Sequence, residues 1–208
     1  MNINKILEAE ITKEPFPHSY VKKLFNDEEF EKLSSFAEKF TKDNSQSLNE
    51  QWSEQMKISQ SKSKYPALAW YHDKDWAKVG FDPELGKSWE KTLEENREGI
   101  LKHFGQHRFG KKGYYTQLFF NFSPPKAVFP IHHDTSAKVW TIAYYLWPEN
   151  NAGTRLYDSN KKLAQEPVWE PNSGCAFSPQ NQASWHDYHN PSDKNWRCVL
   201  IINICRNL

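Results

Sequence analysis

The stretch His132-His133-Asp134-Thr135-Ser136-Ala137-Lys138 leads directly into the apolar run Val139-Trp140-Thr141-Ile142-Ala143-Tyr144-Tyr145-Leu146-Trp147. In extended chain, residues i and i+2 share a face. His132 and Asp134 therefore project together, and His133 turns the other way. The run that follows is β-branched and aromatic, the composition of a strand. Similar short runs occupy Tyr114 to Phe122, Thr154 to Tyr157, Gly174 to Phe177, Ser184 to Tyr188 and Arg197 to Ile204, each bounded by Pro, Gly, Asn or Asp. Strands at this spacing predict an antiparallel sandwich or barrel.

Upstream the pattern changes. Glu14-Pro15-Phe16-Pro17-His18-Ser19-Tyr20 reads as extended, because each proline biases its neighbour away from the helix. Asn26 is a helix cap, with Asp27, Glu28 and Glu29 in the first turn, where acids suit the helix dipole. Phe30, Leu33, Phe36, Ala37 and Phe40 then form one apolar stripe. Residues 43–65 are rich in Ser, Gln and Lys and are expected to be a loop or poorly ordered. A second helix is expected over residues 84–105, with Trp89, Leu93, Ile100, Leu101 and Phe104 buried and Gly105 as its stop. The composition shift near residue 110 is read as two parts of one domain spanning 1–208. A helical part (1–110) would back a β-core (111–208), giving an α+β fold.

Composition narrows the function. A chain of 208 residues can bury a substantial core. Its 27 Lys and Arg against 26 Asp and Glu give no electrostatic case for nucleic acid or an anionic membrane. The longest apolar run, Cys198 to Ile202, is far short of the roughly 20 residues of a spanning helix. The first residues show no apolar leader segment, so a cytoplasmic protein is expected. Cys175, Cys198 and Cys205 are odd in number and lack zinc spacing, as expected of buried free thiols in a reducing compartment. The high aromatic content suits a core filled with large rings, or an aromatic-walled pocket.

A His-x-Asp motif alone says little. Eight His and nine Asp in 208 positions would give roughly a third of one such motif by chance. What raises it above chance is the company it keeps: a strand just after Asp134, a later His, and Arg197 opening the last strand. Two imidazoles and one carboxylate can take one face of a divalent iron and leave other positions open. A guanidinium nearby can grip a carboxylate with two nitrogens. The later His is His186 or His189, which lie three apart and cannot share a strand face. His186 is preferred, because His189 runs straight into the turn signal Asn190-Pro191.

These stretches together resemble the Fe(II)- and 2-oxoglutarate-dependent oxygenases with a double-stranded β-helix (jelly-roll, cupin-like) core. The resemblance rests on Phe129 to Lys138, Ile142 to Trp147, Ala152 to Tyr157, and Ser184-Trp185-His186 through Arg197. Glu14-Pro15-Phe16-Pro17-His18 is similar to the start of many small bacterial and phage members. The resemblance implies that His132, Asp134 and His186 ligate Fe(II), and that Arg197 pairs with the distal carboxylate of 2-oxoglutarate. It implies oxidation of a substrate C–H bond by O2, with succinate and CO2 as co-products. An acidic residue at Asp134 goes with hydroxylation, since halogenating relatives carry a small residue there.

One position departs from the family pattern. Many members place a hydroxyl residue two positions after the Arg, where this chain has Val199. The second contact to the cosubstrate is expected from Asn121 first, or from Tyr144 or Thr141. Lys138 and Trp140 are candidates to line the substrate mouth, with a solvated strand-end lysine the preferred reading of Lys138. The substrate, a small molecule or a protein residue, would be selected by loops over residues 43–80 and 148–170. Two other readings compete: a non-catalytic ligand-binding β-sandwich, and a cupin-type metal dioxygenase that does not use 2-oxoglutarate.

Overall fold

Leu200, Ile202 and Ile204 alternate with Val199 and Ile201 along the last strand, and this alternation lets one strand serve two cores. A computed structural model of the chain describes residues 1–62, 68–71, 76–106, 113–179 and 184–206. In chain order the elements are α1 (Asn4–Leu7), β1 (His18–Lys22), α2 (Asp27–Asp43), α3 (Ser45–Lys62), β2 (Leu68–Tyr71), a 3-10 turn (Trp76–Val79) and α4 (Pro83–His103). The strands β3 (Tyr114–Ser123), β4 (Val128–His132), β5 (Lys138–Trp147), β6 (Thr154–Tyr157), β7 (Leu163–Gln165), β8 (Ser173–Phe177), β9 (His186–His189) and β10 (Arg197–Arg206) follow.

The strands form two antiparallel sheets. The major one has the order β1-β8-β5-β10-β3-β2 and the minor one β4-β9-β6-β7. Helices α2 and α4 pack on the outer face of the major sheet. Leu33 and Ala37 of α2 and Trp89 and Leu93 of α4 share one apolar core with Phe120, Phe122, Trp140, Ile142, Tyr144 and Leu200. A smaller core, including Phe16, Tyr145, Leu156, Phe177 and Val199, lies between the sheets. Among the described residues no helix is long and apolar enough to cross a membrane.

The helix starts follow from local chemistry. The Asn26 side chain accepts from Glu29 N at 2.8 Å, and Glu29 Oε2 accepts from Asn26 N at 3.1 Å, a reciprocal capping box. Asp82 caps α4, with Pro83 in the first turn. The expected loop at 43–65 is corrected by the structure: Ser45–Lys62 is helical, while 63–65 lie outside the described residues. Leu48 is buried, and Trp52, one turn later, packs against the main core. Two anchors at i and i+4 suffice where neighbouring elements supply the apolar surface. β1, β2, β4 and β7 were not expected as separate strands; all are short, and β1, β2 and β4 take their hydrogen bonds from partners remote in sequence, whereas β7 folds back on β6.

Candidate metal centre

The minor sheet brings the two histidines together. β4 and β9 pair with His132 opposite His186, after an irregularity that follows Phe129. The ring centroids are 4.2 Å apart. Each ring is fixed through Nδ1, His132 to Pro130 O at 3.0 Å and His186 to Ser184 O at 2.9 Å. With Nδ1–H donating to a carbonyl, Nε2 keeps its lone pair, the tautomer a metal ligand needs. Asp134 lies just beyond β4, immediately before a turn closed by Lys138 N on Thr135 O. One ligand atom from each of His132, Asp134 and His186 lies within 4.8 Å of the others.

The electrostatics suit a divalent cation. Burial, with the neighbouring His186, holds the His132 imidazole at a pKa of about 3, and burial likewise lowers His186. Burial works to raise Asp134, but the Lys138 ammonium and the two histidines outweigh it and leave the carboxyl lowered. Two neutral imidazoles beside an ionised carboxylate form a donor set for iron, manganese or a similar ion. The Lys138 ammonium sits 2.7 Å from Asp134 Oδ1, so a cation already rests against this carboxylate.

The major sheet supplies the second half of the site. Arg197, first residue of β10, is 1 % exposed, and its guanidinium lies between the rings of Trp169 (5.1 Å) and Tyr188 (4.6 Å). Nε makes one long bond, 3.4 Å to Ala152 O; Nη1 and Nη2 are buried with no hydrogen-bond partner among the described residues. A buried charge with two open donors is costly unless an anion answers it. A carboxylate is the group whose two oxygens fit two guanidinium nitrogens.

Both halves line one cavity of about 340 Å³, near the lower end for small-molecule sites. Asn121 lines it too; its Oδ1 accepts from Ser123 Oγ at 3.4 Å and Tyr188 OH at 3.5 Å. The structure does not bring Tyr144 to the site. Thr141 and Ala143 face the cavity, so Tyr144 faces the helices, bonded to Asn172 Oδ1 (2.6 Å) and Leu24 N (2.9 Å). Trp140 is buried on that same helix side, away from any mouth. Lys138 is not a solvated strand end but lines the cavity. His189 is not part of the cluster: Asp187 and His189 take the other face of β9.

Sequence reasoning missed Tyr188 and Trp169. Tyr188 had a signal, two residues beyond His186 on the same strand face. Trp169 comes from the connection between β7 and β8 and had none. On the outer face of the minor sheet Arg155 grips Asp187 with two bonds of 2.7 Å, joined by Tyr157 OH at 2.9 Å. That clamp ties β6 to β9 beside His186.

No protein-family profile matches the chain, and no curated protein does. Solved structures do. A Pseudomonas putida prolyl-4-hydroxylase aligns over 92% of this chain and 93% of its own, with TM-score 0.57 and 11% identity. A viral collagen prolyl hydroxylase from Paramecium Bursaria Chlorella virus-1 aligns over 92% and 90%, with TM-score 0.53 and 10% identity. A prolyl 4-hydroxylase from Phytophthora capsici aligns over 91% of this chain but 58% of its own, with TM-score 0.52 and 16% identity. At these identities the likeness establishes the fold: an α+β protein with a double-stranded β-helix core.

Proposed function

We propose that this chain is an Fe(II)- and 2-oxoglutarate-dependent oxygenase that hydroxylates a C–H bond. The observation that carries the reading is the buried Arg197, with two open nitrogens, in the same cavity as the His132–Asp134–His186 cluster. A metal cluster alone would fit several cupin-type enzymes; a cluster plus a buried, unanswered guanidinium calls for an anionic cosubstrate as well. The fold shared with three hydroxylases points the same way, as analogy.

The residues fit the group. His132, Asp134 and His186 would hold Fe(II), presenting two neutral nitrogens and one carboxylate oxygen. Arg197 would hold the far carboxylate of 2-oxoglutarate between Trp169 and Tyr188. Iron with this cosubstrate supplies the oxidative decarboxylation that yields succinate and CO2 and inserts oxygen into the substrate. The protein's own part is placement and exclusion of water. Phe119, Phe129, Val199 and Ile201 form an apolar wall beside the charged groups, and low-dielectric surroundings strengthen the charge contacts next to them. Asn121 and Tyr188 offer amide and hydroxyl groups where Val199 offers none.

The test is spectroscopic. Under anaerobic conditions, Fe(II) and 2-oxoglutarate added to the protein give a visible charge-transfer band, and adding O2 releases succinate. A ligand-binding sandwich gives no band. A metal dioxygenase of another kind binds iron but shows no band that depends on 2-oxoglutarate.

A further inference from the structure

We propose that Lys138 forms a second anion subsite in the cavity and selects a substrate bearing a carboxylate; this rests on the oxygenase reading above. Lys138 lines the cavity with its side chain 25 % exposed. It stands far from Arg197. Lys138 pairs with Cys205, and Arg197 lies eight positions earlier on β10 (205 − 197), or roughly 27 Å of strand. The two cations thus enter from opposite ends of the facing sheets, with Asp134 at the Lys138 end. A cosubstrate carboxylate held by Arg197 leaves Lys138 with Asp134 alone as its anionic partner among the described residues.

Charge bookkeeping sharpens the point. Counting the carboxylate, ammonium and guanidinium that line the cavity, Asp134 contributes −1 and Lys138 and Arg197 +1 each, a sum of +1. A doubly charged metal and a doubly charged cosubstrate cancel, so the loaded site still carries +1. That surplus resides on the Lys138 ammonium, at the end of a side chain that lines the cavity. Its Nζ has three donors and the structure shows one hydrogen bond for it, to Asp134 Oδ1. Two donors remain beside the metal cluster. A substrate carboxylate would take one, balance the charge and fix its own orientation toward the metal. A small substrate fits the cavity's volume.

Propionate and propionamide, nearly identical in shape and different in charge, decide the matter. Each is titrated into anaerobic protein carrying Fe(II) and 2-oxoglutarate while the visible band is followed. Propionate is expected to shift the band at a concentration at least tenfold below that needed for propionamide. Lys138→Met abolishes that preference, and Lys138→Arg keeps it. Equal responses in the wild type overturn the proposal without any variant. So does a preference that survives Lys138→Met, which would mean that Lys138 only steadies Asp134 or that propionate strips the cosubstrate from the metal. A wild type with no band at all refutes the oxygenase reading, and this inference with it; a band indifferent to charge refutes this inference alone.

Discussion

Replacing Arg197 by Met removes the guanidinium and keeps an unbranched stem, and it should act with opposite signs on stability and on binding. Without cosubstrate, Nη1 and Nη2 are buried and unpartnered. Unsatisfied buried donors cost about 1–3 kcal/mol each, so their removal relieves roughly 2–6 kcal/mol. Against this stand the contacts with Trp169 and Tyr188, about 0.5–2 kcal/mol each. The variant should therefore be at least as stable as the wild type, although a buried cation has been deleted from the core. Binding moves the other way. Two charge-assisted hydrogen bonds at about 1.5–3 kcal/mol each amount to roughly 3–6 kcal/mol, or about 10²–10⁴ in Kd for 2-oxoglutarate. Thermal melts with Mn(II), with and without 2-oxoglutarate, read both effects. At a hundred times Kd the cosubstrate adds about 2.7 kcal/mol to the wild type; the same concentration should leave the variant's melting point unmoved. A variant that binds 2-oxoglutarate within tenfold of the wild type, or that melts several degrees lower without it, refutes the argument.

Three more outcomes are expected. His132→Ala should lower Mn(II) affinity by at least about 100-fold and abolish succinate formation, with an unchanged far-ultraviolet dichroism spectrum; calorimetric titration and a succinate assay check this. Burial pushes the Cys175 thiol up to about 12 from an ordinary value of 9.0, so the folded protein holds on the order of 10³ less thiolate there than the unfolded chain. Iodoacetamide should label Cys175 only as fast as the protein unfolds. Because the folded pKa is raised, the stability this group contributes is complete below pH 9 and drains away between 9 and 12, which alkaline melts will show. Asn26→Ala breaks the capping box and should cost about 1 kcal/mol in urea unfolding with no change in metal affinity.

The features legible in the sequence were those with local causes. The Asn26 cap, the apolar stripe of α2 and the buried side of α4 each depend on residues within a few turns. So does the pairing of His132 with Asp134, which needs only the two-residue period of extended chain. The apposition of His132 and His186 is of another kind: it needs β4 to pair with β9 across a local irregularity, and no short-range signal sets that register. Tyr144 shows the limit from the other side. Its identity invites a role at the site, but parity on β5 aims it at the helices, and the strand's exact start decides parity. Residues 45–62 read as a loop because their composition is polar, whereas Leu48 and Trp52 join the main apolar core, which is assembled from other elements.

The two halves of the site stand on different sheets. His132 and His186 belong to β4 and β9 of the minor sheet, and the Asp187–Arg155–Tyr157 clamp holds that sheet from its outer side. Arg197 belongs to β10 of the major sheet, whose outer face is pressed against α2 and α4. The distance a cosubstrate must span is therefore set by neither half but by what fills the space between the sheets: Phe16, Tyr145, Leu156, Phe177 and Val199. Interiors pack at crystal-like density, so the spacing is stiff. Val199 belongs to both descriptions, wall of the cavity and member of that filling core. A hydroxyl there would add a contact for the cosubstrate while removing apolar bulk from the spacer. A chain with valine at this position holds the separation of its sheets by packing and, under the proposed function, would leave cosubstrate hydrogen bonding to Asn121, Tyr188 and the guanidinium.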